Sequence, residues 1–336
     1  MKTYTFRDAP LYVFGAPLFQ KTGIFHRLPE DVVKQLPPCY TEWIISRRVP
    51  GARLCFRTDA QEITLRISYE TMSLDLGMSM YAAQGANVFV GPRKEMRYLG
   101  VVAPQNYDVR EATGTFNKKN ADMEDVTIYL PRNEVLTNVE VILPDEARVE
   151  APTPYTHSTP ILFYGNSVTE GGCCSKPSLA YTALVSRWLD SDFINFGFSG
   201  AANGELAMAD HINTIDKSVL VMDYDYNAPD AEHLRRTHAP FFRRIREKNP
   251  TLPVIFMSAS NVGWCPDDVE RREVILETYN AARAAGDENV YFINGADLWR
   301  PGDPADCNSD CCHPHDLGMF RTAQVLYPVL DKILNK

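Results

Sequence analysis

A serine, a histidine and a carboxylate stand where the chain pattern predicts loops after strands. Asp310 and His313 lie three residues apart in Asp310-Cys311-Cys312-His313-Pro314, and Ser167 lies just past the apolar run Ile161–Tyr164. A serine hydroxyl is a poor nucleophile until a positioned histidine takes its proton and an acid holds the histidine tautomer. These residue types therefore predict acyl transfer to water through a serine ester.

Two further segments carry groups that can stabilise an oxyanion. Gly200 ends Gly197-Phe198-Ser199-Gly200, and Asn227 follows the apolar run Val219–Met222. A glycine N–H and an asparagine amide are neutral donors, and losing one such donor costs roughly 3–4 kcal/mol of barrier. Each residue alone also has an ordinary interpretation, with Ser167 as a helix cap and the other two as turn residues. Their order along the chain favours one common site.

The second half of the chain has the period of an α/β sheet. Short apolar runs predict strands buried on both faces, and helical patterns lie between them. One such face contains Tyr181, Leu184, Val185 and Trp188, and a longer one begins behind Asp230, a predicted N-cap. Such sheets place their sites at the carboxyl ends of the strands, where the candidate residues fall. The predicted strands are Ile161–Tyr164, Phe193–Phe196, Val219–Met222, Val254–Met257 and Val290–Ile293.

The first half reads as antiparallel β structure. Ile63–Tyr69, Val126–Leu130 and Val139–Leu143 alternate apolar and polar residues, and no long amphipathic helix interrupts them. We expect a β-sandwich or jelly roll over residues 1–150, a proline-rich linker over 151–160 without regular structure, and the α/β domain over 161–336. This β-domain is interpreted first as a wall of the cleft. The alternative is a carbohydrate-binding module that stacks sugars on Tyr81, Tyr98 or Tyr107.

Composition limits the partners. The 336 residues carry 34 basic and 43 acidic side chains, for a net charge of −9. An acidic surface argues against a nucleic-acid partner. No apolar stretch resembles a signal peptide or a membrane span, so we expect a cytoplasmic protein with no membrane partner, a processed secreted form being the alternative. The oligomeric state is left open.

The eight cysteines are interpreted as reduced thiols, since the expected compartment is reducing. Neither C-x-x-C nor a histidine at zinc-finger spacing occurs, which argues against a structural zinc site. Cys173 and Cys174 lie in the serine loop, and Cys311 and Cys312 lie in the histidine loop. A disulfide between these two loops is the alternative.

Residues 160–336 resemble the SGNH, or GDSL-type, hydrolase family. The blocks that match are Gly165-Asn166-Ser167-Val168, Gly197-Phe198-Ser199-Gly200, the asparagine block with Asn227, and Asp310 through Pro314. The resemblance implies a flavodoxin-like three-layer α/β/α fold. It also implies Ser167 as nucleophile, His313 as base and acid, and Asp310 as its orienting acid. An oxyanion hole of Ser167, Gly200 and Asn227 follows, and neither metal nor organic cofactor is required.

Two positions depart from the family pattern. Asn166 replaces the usual aspartate, and Asp225-Tyr226-Asn227-Ala228 replaces Gly-x-Asn-Asp. Both changes also occur in a two-domain branch with an N-terminal β-sandwich, which Gly51–Asp59 resembles.

We therefore expect an esterase that removes a short acyl group, acetyl in the first place, from a small-molecule or oligosaccharide ester. A lipase or thioesterase for longer chains is one alternative, and a carbohydrate-binding protein that has lost turnover is another. A glycosidase with paired carboxylates from Asp223, Asp225 or Asp310 is a third. Asp316 is assigned as the cap of the final helix.

Overall fold

The computed structural model describes residues 1–260, 263, 266–302 and 304–336, so Cys265 lies outside the described residues. The first half contains ten strands and four short helices among these residues. In chain order they are β1 Lys2–Thr5, β2 Tyr12–Phe14, α1 Pro17–Thr22, α2 Glu30–Val33, α3 Cys39–Glu42, β3 Arg53–Thr58, β4 Glu62–Tyr69, α4 Met80–Ala83, β5 Ala86–Val90, β6 Arg97–Val102, β7 Glu111–Asn117, β8 Glu124–Tyr129, β9 Leu136–Leu143 and β10 Val149–Glu150.

The strands of the first half form two antiparallel sheets. One has the order β1-β9-β4-β7, and the other has β10-β3-β8-β5-β6 with β2 paired to β3. Alternate side chains of the central strands are buried between the sheets, as Ile63, Leu65 and Ile67 show. The predicted all-β sandwich is confirmed.

The second half is a parallel sheet with helices on both faces. Its strand order is β12-β11-β13-β14-β15, which is the flavodoxin-like order 2-1-3-4-5 when counted within this half. The elements are β11 His157–Gly165, α5 Ser167–Glu170, α6 Tyr181–Leu189, β12 Ser191–Gly197, α7 Leu206–Asn213, β13 Val219–Asp223, α8 Ala231–Lys248, β14 Val254–Met257, α9 Asp268–Ala284, β15 Val290–Ile293 and α10 Asp316–Leu334.

The sheet separates two apolar layers. Helices α6 and α10 cover one face, with Leu184 and Leu326 in its core, and α7, α8 and α9 cover the other, with Phe241 in its core. The fold is therefore the predicted three-layer α/β/α arrangement. Among the described residues, no helix combines the length and hydropathy needed to cross a membrane.

Strand β11 begins earlier than predicted. Residues 157–160 were expected to belong to an irregular linker, yet His157 already pairs with Ser191 of β12. Its N–H donates to the Asp190 carbonyl at 3.1 Å. The extended backbone that prolines impose is compatible with a strand end, which is why composition alone misplaced this boundary.

Part of the first half packs into the core of the second. Leu28, Val32, Leu36, Tyr40 and Ile45 are buried in the same cluster as the strand residues beneath α7 and α8. The domain boundary near residue 150 stays a prediction. The segment with α2 and α3 nonetheless supports the loop after β12, where part of the candidate site lies.

Helix caps agree with the sequence at one position and differ at another. Asp230 caps α8, accepting the His233 N–H at 2.7 Å. The cap of α10 is His315, whose Nδ1 accepts the Leu317 N–H at 3.2 Å, and the assignment to Asp316 was wrong. Asp316 is the first residue of the helix, and its carboxylate instead accepts hydrogen bonds from the Ser175 N–H and hydroxyl, each at 2.7 Å.

Candidate active site

Ser167 stands at the first position of α5, directly after β11. Asn166 caps this helix, its Oδ1 accepting the Val168 N–H at 2.7 Å and the Thr169 N–H at 3.3 Å. The interpretation of Ser167 as a cap is therefore wrong, and its hydroxyl is available for chemistry. Asn166 performs the capping that an aspartate would also perform, so its departure from the family pattern leaves the turn intact.

Ser167, His313 and Asp310 form a continuous chain of hydrogen bonds. Ser167 Oγ lies 2.8 Å from His313 Nε2, and His313 Nδ1 lies 2.7 Å from Asp310 Oδ2. The other oxygen, Asp310 Oδ1, accepts the N–H groups of His313 and Cys312 at 2.7 and 3.1 Å. Partial burial raises the pKa of Asp310, but these hydrogen bonds outweigh burial and leave the pKa below its usual value. An ionised Asp310 favours the Nδ1–H tautomer, which leaves Nε2 free to take the serine proton.

Gly200 and Asn227 lie beside each other at the ends of β12 and β13. The Gly200 N–H donates to Asn227 Oδ1 at 3.1 Å, and Asn227 Nδ2 donates to the Phe198 carbonyl at 2.9 Å. One hydrogen of Nδ2 remains for a ligand, and the Ser167 N–H, in the first turn of α5, has no intrahelical acceptor. Two of the three expected donors are thus open. The third, the Gly200 N–H, is directed at Asn227, which differs from the expectation that all three converge on an oxyanion.

Two glycines permit this arrangement. Gly200 has φ of +68°, a backbone conformation that other residues rarely adopt. At Gly197 a Cβ would lie 2.2 Å from the Glu170 N, so any side chain there would push α5 away from β12. The close approach of α5 sets the position of Ser167.

Two charged residues that sequence reasoning missed support the loop after β12. Arg27 is buried, donates to the Gly197 and Ile45 carbonyls, and lies 3.8 Å from Glu170. Glu170 in turn accepts the Ser199 N–H at 3.1 Å and the Ser199 hydroxyl. No local pattern marks Arg27, because its partners in the second half, Glu170 and Gly197, lie about 140 to 170 residues away in the chain.

Trp43 is a second feature without a local signal. The side chain is 50% exposed, and a Cβ at Gly200 would lie 3.0 Å from its ring, so the indole lies against the glycine loop. A large exposed aromatic next to the loop offers a flat surface for a ligand. It comes from the first half of the chain, immediately after α3.

A cavity of about 530 Å³ opens over Ser167 and contains residues from both halves of the chain. The first half contributes Asp75, Gly77, Met78, Arg132 and Asn133. The β-domain therefore forms one wall of the cleft, as the first interpretation held. The lining from the second half is Ser167, Glu170, Gly172, Cys173, Ser199, Gly200, Tyr226, Asn227, Asp310, Cys312 and His313.

The three tyrosines proposed to stack sugars lie elsewhere. Tyr81 and Tyr98 are 57% and 44% exposed and Tyr107 is half-buried, but none of them lines this cavity. The Lys176 ammonium lies 4.2 Å from the centre of the Tyr98 ring and covers part of it. The cavity offers no support for the stacking role assigned to them.

The carboxylates of the glycosidase interpretation do not face one another across the cleft. Asp223 is 4% exposed and accepts hydrogen bonds from the Tyr181 hydroxyl and the Thr169 hydroxyl, both at 2.9 Å. Burial, with the nearby Asp225, raises the pKa of Asp223 to about 8. Asp225 is 2% exposed and accepts the Ala259 N–H at 2.7 Å, and burial raises its pKa to about 6. Both residues are structural, so the paired-carboxylate interpretation is wrong.

No disulfide joins Cys173 or Cys174 to Cys311 or Cys312. Cys173 nevertheless lies close to the histidine. Its Sγ, an Asp310 oxygen and a His313 ring nitrogen lie within 4.8 Å of one another, and such a set can hold a metal ion. Binding a metal there would engage the histidine that otherwise contacts Ser167.

Comparison with known proteins places this geometry in a family. A model of the GDSL-like lipase/acylhydrolase family matches residues 158–331, and a model of the N-terminus of SGNH-hydrolase-type esterases matches residues 3–149. Because the first model covers more than half of the chain, the protein belongs to the GDSL-like lipase/acylhydrolase family. It is a serine ester hydrolase of the two-domain branch. No curated protein matches the sequence.

Three solved structures illustrate the shared fold. A GDSL-like lipase from Bacteroides ovatus superposes with a TM-score of 0.87 at 21% identity, over 99% of this chain and 98% of its own. The salicylyl-acyltransferase SsfX3 of a tetracycline biosynthetic pathway gives 0.78 at 20% identity, over 98% and 97%. The acetyl xylan esterase Est2A from Butyrivibrio proteoclasticus gives 0.65 at 12% identity, over 99% and 98%. At these identities the likeness shows the fold alone.

Proposed function

We propose that this protein removes a short acyl group, acetyl in the first place, from an ester of a carbohydrate or glycosylated small molecule. The observation that carries the proposal is the chain of hydrogen bonds from Ser167 through His313 to Asp310, with 2.8 and 2.7 Å separations, at the floor of an open cavity.

The reaction follows from this geometry. Ser167 Oγ attacks the ester carbonyl while His313 Nε2 takes its proton, and the ionised Asp310 stabilises the imidazolium that forms. The tetrahedral oxyanion accepts hydrogen bonds from the Ser167 N–H and the Asn227 amide, joined by the Gly200 N–H once Asn227 releases it.

His313 then gives its proton to the leaving alcohol oxygen, and an acyl-serine remains. Water attacks that ester with His313 again as base, the proton returns to Ser167, and the carboxylic acid leaves. Asp310 remains ionised throughout, since its hydrogen bonds hold its pKa below the usual value.

Two features support a small polar substrate. The cavity lining includes the polar side chains of Asp75, Asn133, Glu170 and Asn227 together with Ser167, and these can form hydrogen bonds with an alcohol rich in hydroxyl groups. The exposed Trp43 beside Gly200 provides an aromatic face of the kind on which sugar rings pack. The name of the acetyl xylan esterase with the same fold points to the same ester class.

The test is the specificity of purified protein for acyl length and alcohol. We expect kcat/KM to fall from p-nitrophenyl acetate to the butyrate and octanoate, and acetate to be released from acetylated xylo-oligosaccharides. Faster hydrolysis of the octanoate would favour the lipase or thioesterase alternative. If the protein binds the oligosaccharides but neither releases acid nor reacts with a fluorophosphonate, the binding-protein alternative is favoured.

A further inference from the structure

Arg132 is a buried cation in the wall of the catalytic cavity. It lies in the loop between β8 and β9, is 2% exposed, and lines the cavity. It belongs to the first half of the chain and to none of the family motifs of the second half. Among the described residues of the lining it is the one lysine or arginine. Burying a guanidinium costs free energy unless an anionic or hydrogen-bonding partner compensates for the lost water.

Among the residues that the structure describes, no carboxylate forms an ion pair with Arg132. The guanidinium contacts the Met78 Sδ, its Nε has no hydrogen-bond acceptor, and it forms no ion pair with the part of the chain that the structure describes. Other buried arginines are paired differently. Arg53 meets the Asp192 carboxylate, and Arg271 lies 2.8 Å from Asp267.

The same loop contains a buried charge, Glu134, whose hydrogen bonds are all supplied by the protein. Glu134, two residues after Arg132, is 1% exposed. Its carboxylate accepts hydrogen bonds from the Ser73 N–H at 2.8 Å, the Gln84 amide at 2.7 Å and the Thr71 hydroxyl at 2.6 Å. The described part of the chain gives Arg132 no comparable set of hydrogen bonds, which leaves donors of the guanidinium for a ligand.

The acidic groups of the cavity are engaged elsewhere. Asp310 holds His313, Glu170 holds Ser199 beside Arg27, and Asp75 accepts the Gly77 N–H at 3.1 Å. Burial and Asp310 raise the pKa of the Cys173 thiol, so no thiolate stands in for a carboxylate there.

The position of Arg132 relates it to the nucleophile. A Cβ at Gly171 would lie 2.8 Å from Arg132 Nη1, so the guanidinium packs against the end of α5. Gly171 directly follows α5, the helix that begins at Ser167, and both Arg132 and Ser167 line the same cavity. A group bound by Arg132 therefore lies in the same cavity as the ester carbonyl that Ser167 attacks.

We propose that Arg132 binds a carboxylate of the substrate, so that the preferred ester carries a negative charge close to the scissile bond. The planar guanidinium fork matches a carboxylate with two parallel hydrogen bonds. The inference rests on the proposed esterase function and narrows its substrate class. The carboxylate belongs either to the alcohol, as in a uronic acid, or to the acyl group, as in a hemisuccinate.

The experiment compares charged and neutral esters in matched pairs. One pair is an acetylated methyl glucuronoside and the acetylated methyl glucoside. The other is p-nitrophenyl hydrogen succinate and its methyl ester. In one of the two pairs the carboxylate is on the part of the ester, alcohol or acyl group, that Arg132 contacts. For that pair the wild type should hydrolyse the charged ester with the higher kcat/KM. Arg132→Gln should lower the charged-to-neutral ratio of kcat/KM by about 10- to 100-fold, chiefly through KM, and Arg132→Lys should restore part of it.

The outcomes separate this inference from the esterase proposal. Hydrolysis of neutral esters with no preference for a charged ester in either pair would overturn the role of Arg132 and leave the esterase standing. If Arg132→Gln does not fold, Arg132→Lys decides the question, because it keeps the charge and loses the planar fork, and an unchanged charged-to-neutral ratio in that variant would overturn the role of Arg132. If no ester is hydrolysed, the esterase proposal fails. Arg132 is then tested by whether glucuronate or succinate slows fluorophosphonate labelling of Ser167, and unchanged labelling would overturn its role.

Discussion

Changing Asp310 to asparagine removes one charge and one acceptor while it keeps the shape of the side chain. In the structure Asp310 Oδ1 accepts two backbone N–H groups, from His313 at 2.7 Å and Cys312 at 3.1 Å, and Oδ2 accepts from His313 Nδ1 at 2.7 Å. Asparagine retains the first two bonds through its carbonyl oxygen. Its amide then faces Nδ1 as a donor, so the ring places its proton on Nε2 and donates to Ser167.

A histidine in that tautomer cannot take the serine proton. The expected loss in kcat is about 10⁴-fold, which corresponds to about 5.5 kcal/mol of barrier at 1.36 kcal/mol per tenfold change. The assay is p-nitrophenyl acetate hydrolysis at neutral pH, with the thermal midpoint measured alongside, which we expect to move little because the backbone bonds persist.

Asp316→Asn is the matched control. Asp316 is the first residue of α10, three residues after His313, and its carboxylate accepts hydrogen bonds from Ser175. The control should retain activity within a few-fold of wild type. If Asp310→Asn kept more than about a tenth of the wild-type kcat, the argument that Asp310 sets the tautomer would be refuted.

Three further changes test other parts of the structure. Asn227→Ala removes an oxyanion donor and should lower kcat about 10²- to 10³-fold with little change in KM. A change in KM with an unchanged kcat would contradict its role. Gly197→Ala places a Cβ 2.2 Å from the Glu170 N and should lower both kcat and the thermal midpoint, whereas unchanged values would show that α5 can shift freely. Burial raises the pKa of Asp223 to about 8, so the folded state keeps a proton that the unfolded state releases near 3.8. This contribution to the free energy of unfolding is therefore full below about pH 4 and is lost as pH rises toward 8, by about 1.4 kcal/mol per unit. Asp223→Asn should lack this slope and gain relative stability with rising pH, and parallel denaturation curves from pH 5 to 8 would disprove the assignment.

The fold was predictable because its signals are local. Strands such as Val254–Met257 and Val290–Ile293 are continuous apolar runs, and α8 carries its buried face at helical spacing behind Asp230. Loops after parallel strands meet at one edge, which is why Ser167 and Asn227 could be placed together before the structure was known.

The remaining site residues depend on long-range packing. Arg27, Trp43 and Arg132 come from irregular segments of the first half, and their neighbours in space are distant in sequence. The final helix shows a local ambiguity, since His315 and Asp316 both suit a cap and only the hydrogen bonds from Ser175 show that Asp316 is used elsewhere.

Covalent labelling of the serine tests the central claim most directly. Purified protein is treated with a fluorophosphonate while acetyl ester hydrolysis is followed, and the modified peptide is identified by mass spectrometry. Ser175→Ala serves as a control, because Ser175 bonds Asp316 and does not line the cavity. We predict one adduct, on Ser167, that forms in step with loss of activity in wild type and Ser175→Ala alike. An adduct on another serine, or full activity after Ser167 is modified, would contradict the mechanism.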